Sequence, residues 1–303
     1  MFSLVVVTYV FSTLDLQDVT KTFSQLDWGV LLIGFGIYLL SYLLRTWRFR
    51  ILLGLENVPF RKLFGLTSLY GMYLYLLPAK SGEVSYLVLL KSRLSVTYAQ
   101  STAILIVARF FDFATVAIFL PFVLIPFWEE IHTGIRFTII IFAGLIFISI
   151  FLGLSLVRHP NLWQVLLHPS TGILGRVKTS LGNLLTNLAK IDQIGRYWLL
   201  MLVTVSIWLC VQASLYIITS ALGYPITFIE MLIVSVIMIP MTLLPLQGFA
   251  NLGAHEIGWT AAFALFGYNQ TTALSIAVNS HIVLLLFVLA LGAIGQTVLV
   301  LHR

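Results

Sequence analysis

The sequence predicts an all-α integral membrane protein, built as a polytopic helix bundle. Of its 303 residues, 60% are hydrophobic and only 9% are Asp, Glu, Lys or Arg, whereas roughly 25% are charged in an ordinary soluble domain. Several runs reach the roughly 20 apolar residues that a helix needs to cross a bilayer. A water-soluble fold could not bury this much apolar surface, so the expected surroundings are lipid.

The charge and the cysteine content argue against a nucleic-acid-binding protein and against a disulfide-bonded one. The net charge of +6 does not indicate nucleic-acid binding, because most basic residues lie beside apolar segments, where they set membrane topology. The single cysteine, Cys210, lies in an apolar run. It excludes a disulfide within the chain, and we expect it to be a small packing residue.

Apolar segments follow one another along the whole chain. They cover residues 1–14, 28–50, 63–77, 84–90, 98–125, 136–157, 197–222, 228–246, 257–266 and 271–301. The first of these has neither a basic N-terminal region nor a small-residue cleavage site, so we interpret it as a short or truncated membrane helix rather than a secretory signal.

One stretch differs from the rest and divides the chain. Residues 158–196 contain two prolines, five basic residues and leucines at helical spacing, a pattern typical of an amphipathic helix at the membrane interface. We therefore expect a single transmembrane domain over 1–303, with a first half at 28–157, a cytosolic connector, and a second half at 197–303.

Lysines and arginines indicate the orientation of the helices. Placing four basic groups in the cytosol leaves mostly acidic residues in the external loops. The groups are Arg45, Arg48, Arg50, Arg61 and Lys62, then Lys91 and Arg93, then Arg158, Arg176, Lys178, Lys190 and Arg196, and finally Arg303. The C-terminus is then expected in the cytosol.

This orientation predicts a re-entrant hairpin in the first half. Residues 63–77 lie between two cytosolic groups, so they cannot cross the membrane once. At about 1.5 Å per residue they reach roughly 22 Å, less than the roughly 30 Å of hydrocarbon. A break at 78–82 and a second short run at 84–90 would return the chain to the cytosol.

The second half is expected to repeat this arrangement upside down. Prolines break residues 228–246, a glycine-containing stretch follows at 247–253, and a short run covers 257–266. Both ends must be external for the last helix to finish in the cytosol. The two opposed hairpins therefore form an inverted repeat, and such repeats with broken helices are typical of transporters.

A glutamate follows each predicted break. Glu83 and Glu256 would lie at the N-terminus of the returning helix, where an acidic side chain also simply complements the helix dipole. Two glutamates at corresponding breaks favour a functional role, because ionisable residues inside a membrane usually face a cavity. The proline and glycine positions that define the breaks are Pro78, Gly82, Pro245, Gly248 and Gly253.

Three further charged residues fall within membrane segments. Arg109 and Asp112 are three residues apart on one face of a predicted helix, where they could be a purely structural pair. A guanidinium also suits a phosphate group, so Arg109 is a candidate for both roles. Lys80, in the first break, is a second candidate phosphate contact or else a cation that reaches the interface.

These residues lead to one hypothesis about a site. A midplane cavity would hold a lipid phosphate with Lys80, Arg109 and two helix N-termini, while Glu83 and Glu256 would either carry protons or bind a cationic headgroup. His255 and His281 are isolated in apolar context and are interpreted as buried, hydrogen-bonded residues. Because no metal-ligand spacing is present, we expect no cofactor.

Four motifs, in order, resemble the lysylphosphatidylglycerol synthase transmembrane-region family, also called flippase-like. Residues 42–48 (YLLRTWR) resemble the basic end of an early helix, and residues 77–83 (LPAKSGE) resemble its LPxxxGE motif. Residues 109–112 (RFFD) resemble its ERxxD motif, and residues 245–256 resemble its second motif with proline, two glycines and glutamate. The likeness runs from about residue 28 onward.

The resemblance implies a membrane part that moves lipids or lipid-linked intermediates between leaflets in a prokaryotic cell membrane. In the family, the aminoacyl-lipid synthase activity of the family name belongs to a soluble domain, which we expect this chain to lack, so an enzymatic activity is not expected. Two positions depart from the family pattern. Ala108 replaces a glutamate and Tyr86 replaces a basic residue. If these positions contact the headgroup in relatives, we expect a different headgroup here.

Three functions remain open at the level of sequence. The first is a translocator of a phospholipid or polyprenyl phosphate. The second is a membrane-embedded transferase, which the short loops disfavour. The third is an accessory subunit of a glycosyltransferase or lipid synthase, which the charges inside the membrane disfavour.

Overall fold

The computed structural model describes residues 20, 22–54, 57–78, 80–124, 196–243 and 248–301, with isolated positions between 133 and 186. Every regular element in these ranges is helical, which confirms the all-α prediction. The segment 1–14, Pro245, most of the crossing at 136–157 and most of the connector at 158–196 lie outside the described residues.

Four long helices confirm that the chain is a multi-pass membrane protein. They are α1 (Trp28–Leu53), α4 (Tyr98–Leu124), α5 (Arg196–Ala221) and α8 (Gln270–Leu301). Each contains a stretch long and apolar enough to cross a membrane. Large apolar side chains stand exposed on them, such as Trp198 at 84% and Leu32 at 71%, and lipid would cover these surfaces.

Four helices are shorter and match the predicted hairpin arms. They are α2 (Phe60–Leu76), α3 (Ser81–Leu94), α6 (Phe228–Leu243) and α7 (Ala254–Leu265). Their 12 to 17 residues correspond to about 18–26 Å, which is less than the roughly 30 Å of hydrocarbon. Re-entry of each pair into the bilayer, and the inverted repeat, stay predictions.

The chain folds into two compact units whose segments alternate along the sequence. Unit 1 comprises Met1–Thr46, Val58–Tyr86 and Ile207–Arg303, and unit 2 comprises Trp47–Asn57 and Leu87–Ser206. Unit 1 therefore contains all of α2, α6, α7 and α8, whereas unit 2 contains all of α4.

Helix α8 is the centre of unit 1, because it packs against both α2 and α7. Two glycines allow α2 and α8 to approach closely. A Cβ added at Gly295 would lie 2.6 Å from the Cβ of Ser68, and one added at Gly65 would lie 2.9 Å from the carbonyl oxygen of Gly295. Small residues at such contacts are typical of helix packing in membranes, where backbone proximity replaces the hydrophobic effect as the source of attraction.

A separate apolar cluster holds the short helices of the second half in place. Met231 on α6, Phe263 on α7 and Ile276 on α8 are fully buried and belong to this cluster. The position of α7 against α8 is thus fixed by packing, so that polar groups on their contact surface are held at short range.

Candidate functional site

The first break lies between α2 and α3. Lys80 has φ 65°, in the left-handed region, and α3 begins at the next residue. The Ser81 hydroxyl donates to the carbonyl oxygen of Pro78 at 2.6 Å. Gly82 is buried, and a Cβ there would lie 2.7 Å from the backbone nitrogen of Leu74. The sequence LPAKSGE thus turns the chain sharply back along the end of α2.

Glu83 lies in the first turn of α3, as predicted, and is partly buried. The helix begins at Ser81, three residues before the apolar run at 84–90 from which it was predicted. The reason is that a turn closed by Ser81 and the left-handed Lys80 ends the break immediately. Glu83 is therefore inside the helix and not in the loop before it.

The second break precedes α7 and also uses left-handed backbone. A short 3-10 turn at Phe249–Asn251 follows Gly248, and Ala250 and Asn251 have φ 52° and 60°. Gly253 has φ 94°. Left-handed conformation costs about 1–2 kcal/mol for a residue with a Cβ, and backbone strain of this kind clusters at functional sites.

Glu256 joins this break to the start of α7. Its Oε2 accepts a hydrogen bond from the backbone nitrogen of Gly253 at 2.7 Å, which caps the first turn of the helix. The residue is buried, with 3% of its surface exposed. A carboxyl group this deeply buried needs a partner for each oxygen.

His281 on α8 is the partner of the other carboxyl oxygen. Its Nδ1 contacts Glu256 Oε1, and its Nε2 lies 2.8 Å from the carbonyl oxygen of Ala250. One imidazole ring therefore links three places: the centre of α8, the first turn of α7 and the strained turn before it. The ring is itself buried, with 4% of the residue exposed.

Two more titratable residues contact His281. Tyr75, near the end of α2, meets the imidazole edge-on with the ring centroids 5.7 Å apart. The ring of His255 on α7 lies 4.5 Å from that of His281, and it stacks on Trp259 at the same distance. His255 also hydrogen-bonds to the backbone of Ala277. The end of the first short helix thus reaches the glutamate–histidine pair of the second half.

Unit 2 has a charged group of its own on α4. Asp112 accepts a hydrogen bond from Nη1 of Arg48 at 2.7 Å, and Nη1 of Arg109 lies 3.9 Å from its other oxygen. The Arg48 side chain is 3% exposed, whereas that of Arg109 is 41% exposed. Asp112 therefore lies much closer to the buried Arg48 than to the more exposed Arg109.

The predicted site residues thus fall into separate groups. Lys80, Glu83 and Glu256 belong to unit 1, and Arg109 and Asp112 belong to unit 2. Among the predicted backbone positions, Pro78 and Gly82 lie at the first break, and Gly248 and Gly253 lie at the second.

Sequence reasoning missed three partners: Arg48, Tyr75 and His281. The sequence indicates Arg48 as a topology signal and as part of the YLLRTWR motif, but not as a partner of Asp112. His281 was interpreted as isolated, yet it follows Asn279 and Ser280 in the middle of an otherwise apolar helix. That run of three polar residues was the available signal. The interpretation of His281 as buried and hydrogen-bonded is correct.

Two other features of the described residues bear on ligands. Within those ranges, no group of three or more His, Cys, Asp or Glu is arranged to hold a metal ion. A cavity of about 300 Å³ in unit 1 is lined by Leu43, Phe60, Arg61, Phe64 and Val298. Its lining does not include any of the predicted site residues.

The chain matches the model of a known protein family. The family described as "Lysylphosphatidylglycerol synthase TM region" matches residues 1–292, which is nearly the whole chain. No curated protein and no solved structure matches the chain significantly. Because this match covers nearly the whole chain, the chain belongs to the lysylphosphatidylglycerol synthase transmembrane-region family.

Proposed function

We propose that this protein moves a lipid or lipid-linked substrate with an anionic headgroup, a phospholipid or a polyprenyl phosphate, between the leaflets of a membrane. The observation that carries the proposal is the ionisable pair Glu256–His281, buried against a broken helix in a multi-pass bundle. Ionisable residues inside membranes are costly and mark substrate or ion pathways. Family membership supports a role connected with membrane lipids.

The strained breaks support transport more than catalysis. Non-helical backbone at membrane depth is tolerated only where protein buries it or where it lines a cavity. Broken helices beside such cavities are the usual place for substrates in secondary transporters. Both breaks here combine left-handed residues with a glutamate in the first turn of the next helix.

Arg109 is the best candidate contact for an anionic headgroup in unit 2. It lies near the middle of α4, its side chain is 41% exposed, and its distance of 3.9 Å from Asp112 leaves the closer partnership to Arg48. A guanidinium binds phosphate oxygens through two parallel hydrogen bonds. Lys80 and the helix N-terminus at α3 are proposed as the corresponding contacts in unit 1, and Glu83 is proposed to carry a proton or to bind a cationic group of the lipid.

The orientation is part of the proposal. Lys91 and Arg93, exposed in the last turn of α3, are placed in the cytosol together with the C-terminus. The membrane is proposed to be a prokaryotic cell membrane. A glycosyltransferase or lipid synthase that makes or uses the lipid would be the partner.

The test is lipid exchange between leaflets in proteoliposomes, measured with labelled phospholipids and with a labelled polyprenyl phosphate. We expect wild-type protein to accelerate the exchange of at least one of these lipids. Glu83→Gln, Arg109→Ala and Glu256→Gln should each slow it by tenfold or more. Glu230→Gln is the matched control, because Glu230 caps the first turn of α6 through Thr227 and occupies the same helix position as Glu256.

Two outcomes would overturn the proposal. One is the absence of exchange for every lipid tested, with protein whose thermal unfolding is cooperative. That result would favour an accessory subunit or a transferase that needs a partner. The other is exchange that is unchanged in all three variants, which would show that lipid transport does not depend on these residues.

A further inference from the structure

The hydrogen bonds of His281 determine how many protons it shares with Glu256. The carbonyl oxygen of Ala250 can only accept, so Nε2 of His281 must carry a hydrogen and donate it. The other ring nitrogen, Nδ1, faces Oε1 of Glu256. One hydrogen must lie in that contact, because a bare nitrogen lone pair and a carboxylate oxygen repel each other.

The hydrogen can be placed on either atom. On Nδ1, it makes an imidazolium beside a carboxylate; on Oε1, it makes a neutral imidazole beside a carboxylic acid. Both forms contain one proton in the contact and have zero net charge, which limits the cost of burial in lipid. A move between the two forms transfers the proton from one atom to the other and changes no other bond.

Glu256 is therefore unsuited to holding a cationic headgroup. Its Oε2 accepts from the backbone of Gly253 and its Oε1 contacts His281. Both oxygens are engaged within the protein, and the residue is 3% exposed. Of the two roles that the sequence left open for this glutamate, the geometry favours the proton.

We propose that Glu256 and His281 form a proton-binding site that couples proton movement to the lipid movement proposed above, on which this inference rests. Loss of the shared proton leaves two lone pairs in contact and breaks the link between Glu256 and His281, while the apolar cluster keeps α7 packed against α8. Return of the proton restores the link. Protonation thus controls whether the first turn of α7 is linked to the centre of α8 through Glu256 and His281.

Three groups on neighbouring elements face the Glu256–His281 pair. Tyr75 faces His281 from α2, His255 faces it from α7, and the carbonyl of Ala250 faces it from the 3-10 turn. Among the described residues, the Tyr75 hydroxyl and Nε2 of His255 are buried without a hydrogen-bond partner. Neither atom is hydrogen-bonded to the pair, because both oxygens of Glu256 and both nitrogens of His281 already have partners within the protein.

The first experiment counts the proton directly, without any transport. Protein with ¹⁵N-labelled histidine, reconstituted in lipid, is measured by solid-state NMR and by infrared spectroscopy. Imidazolium at His281 or a protonated carboxyl at Glu256 is expected, with the two populations adding to one proton. His281→Gln assigns the nitrogen signals, and Glu256→Gln assigns the carboxyl band.

Glu256→Gln also removes the proton without removing the hydrogen bonds. The glutamine oxygen can accept from Gly253, and its amide can donate to a bare Nδ1 of His281. We therefore expect this variant to fold, with His281 neutral at every pH at which the protein is folded. Glu230→Gln should leave the His281 signals unchanged.

The second experiment measures lipid exchange with and without a pH gradient across the proteoliposome. Wild-type exchange should respond to the gradient, whereas exchange by Glu256→Gln should not. If spectroscopy finds no shared proton on Glu256 and His281, the proposed proton-binding site is wrong. A pair with its proton, but with lipid exchange that ignores the gradient, overturns the coupling. A pair with its proton, but with no exchange of any lipid, overturns the proposed function and leaves the proton site standing.

Discussion

Asp112 lies near two arginines, Arg48 and Arg109, whose surroundings differ. Arg48 is nearly fully buried and 2.7 Å from Asp112, whereas Arg109 is far more exposed and 3.9 Å away. A buried charge that loses its partner is strongly destabilising, but a charge that reaches a polar or aqueous surface is not. The same aspartate is therefore essential to one arginine and of little consequence to the other.

Substitution at these positions should separate stability from activity. Asp112→Asn should destabilise the protein by about 3–5 kcal/mol, because it leaves the Arg48 charge buried without compensation. Arg109→Gln should change the thermal unfolding temperature little and still reduce lipid exchange. Both effects are measured on purified protein, by thermal unfolding in detergent and by exchange in proteoliposomes. Equal destabilisation by the two variants would contradict this division of roles.

At the scale of the element, the close contact of α2 and α8 determines where the pair Glu256–His281 meets Tyr75. The two helices approach through Gly65 and Gly295, which leave no room for a side chain. This contact brings the end of α2 to the ring of His281. The glycines thus act on the site through helix position, without touching it.

We expect Gly295→Val to disrupt this contact. The added Cβ would lie 2.6 Å from that of Ser68, and overpacking of this kind costs about 1–3 kcal/mol. Gly36→Val on α1 is the control, because nothing lies within 4 Å of a Cβ at that position. Thermal unfolding of the two variants should differ, and a loss in Gly36→Val as large as that in Gly295→Val would refute the explanation.

Single residues and single helices show what the sequence could and could not predict. Hydrophobic length identified α1, α4, α5 and α8, since a spanning helix is a local property of about 20 residues. The breaks before Glu83 and Glu256 were also found locally, from proline and glycine. The contact of Glu256 with His281 joins residues 25 positions apart on different helices, and that of Arg48 with Asp112 joins residues 64 apart. Such pairings depend on packing, which a single sequence does not specify.

At the scale of the whole molecule, each unit contains segments from distant parts of the chain. Unit 1 takes α2 from the first predicted half and α6, α7 and α8 from the second. An inverted repeat would account for this arrangement, because the short helices of the two halves would enter the membrane from opposite sides. An inverted repeat therefore predicts that the two breaks are accessible from opposite sides of the membrane.

Cysteine labelling from each side of the membrane tests that consequence. Ser81→Cys and Phe249→Cys, both at exposed positions, are made in a Cys210→Ala background. A membrane-impermeant maleimide should label Ser81→Cys only from the cytosolic side and Phe249→Cys only from the opposite side. A cysteine appended after Arg303 marks the cytosolic side. Labelling of both breaks from one side would rule out the inverted repeat.

The length of α8 makes the position of this helix depend on the thickness of the host membrane. Its 32 residues extend for about 48 Å, well beyond the roughly 30 Å of hydrocarbon. A helix that is too long for its bilayer must tilt, or thicken the lipid around it. Because α8 carries both His281 and Gly295, the acyl-chain length of the surrounding lipids acts on the site and its supporting contact through the tilt of one helix.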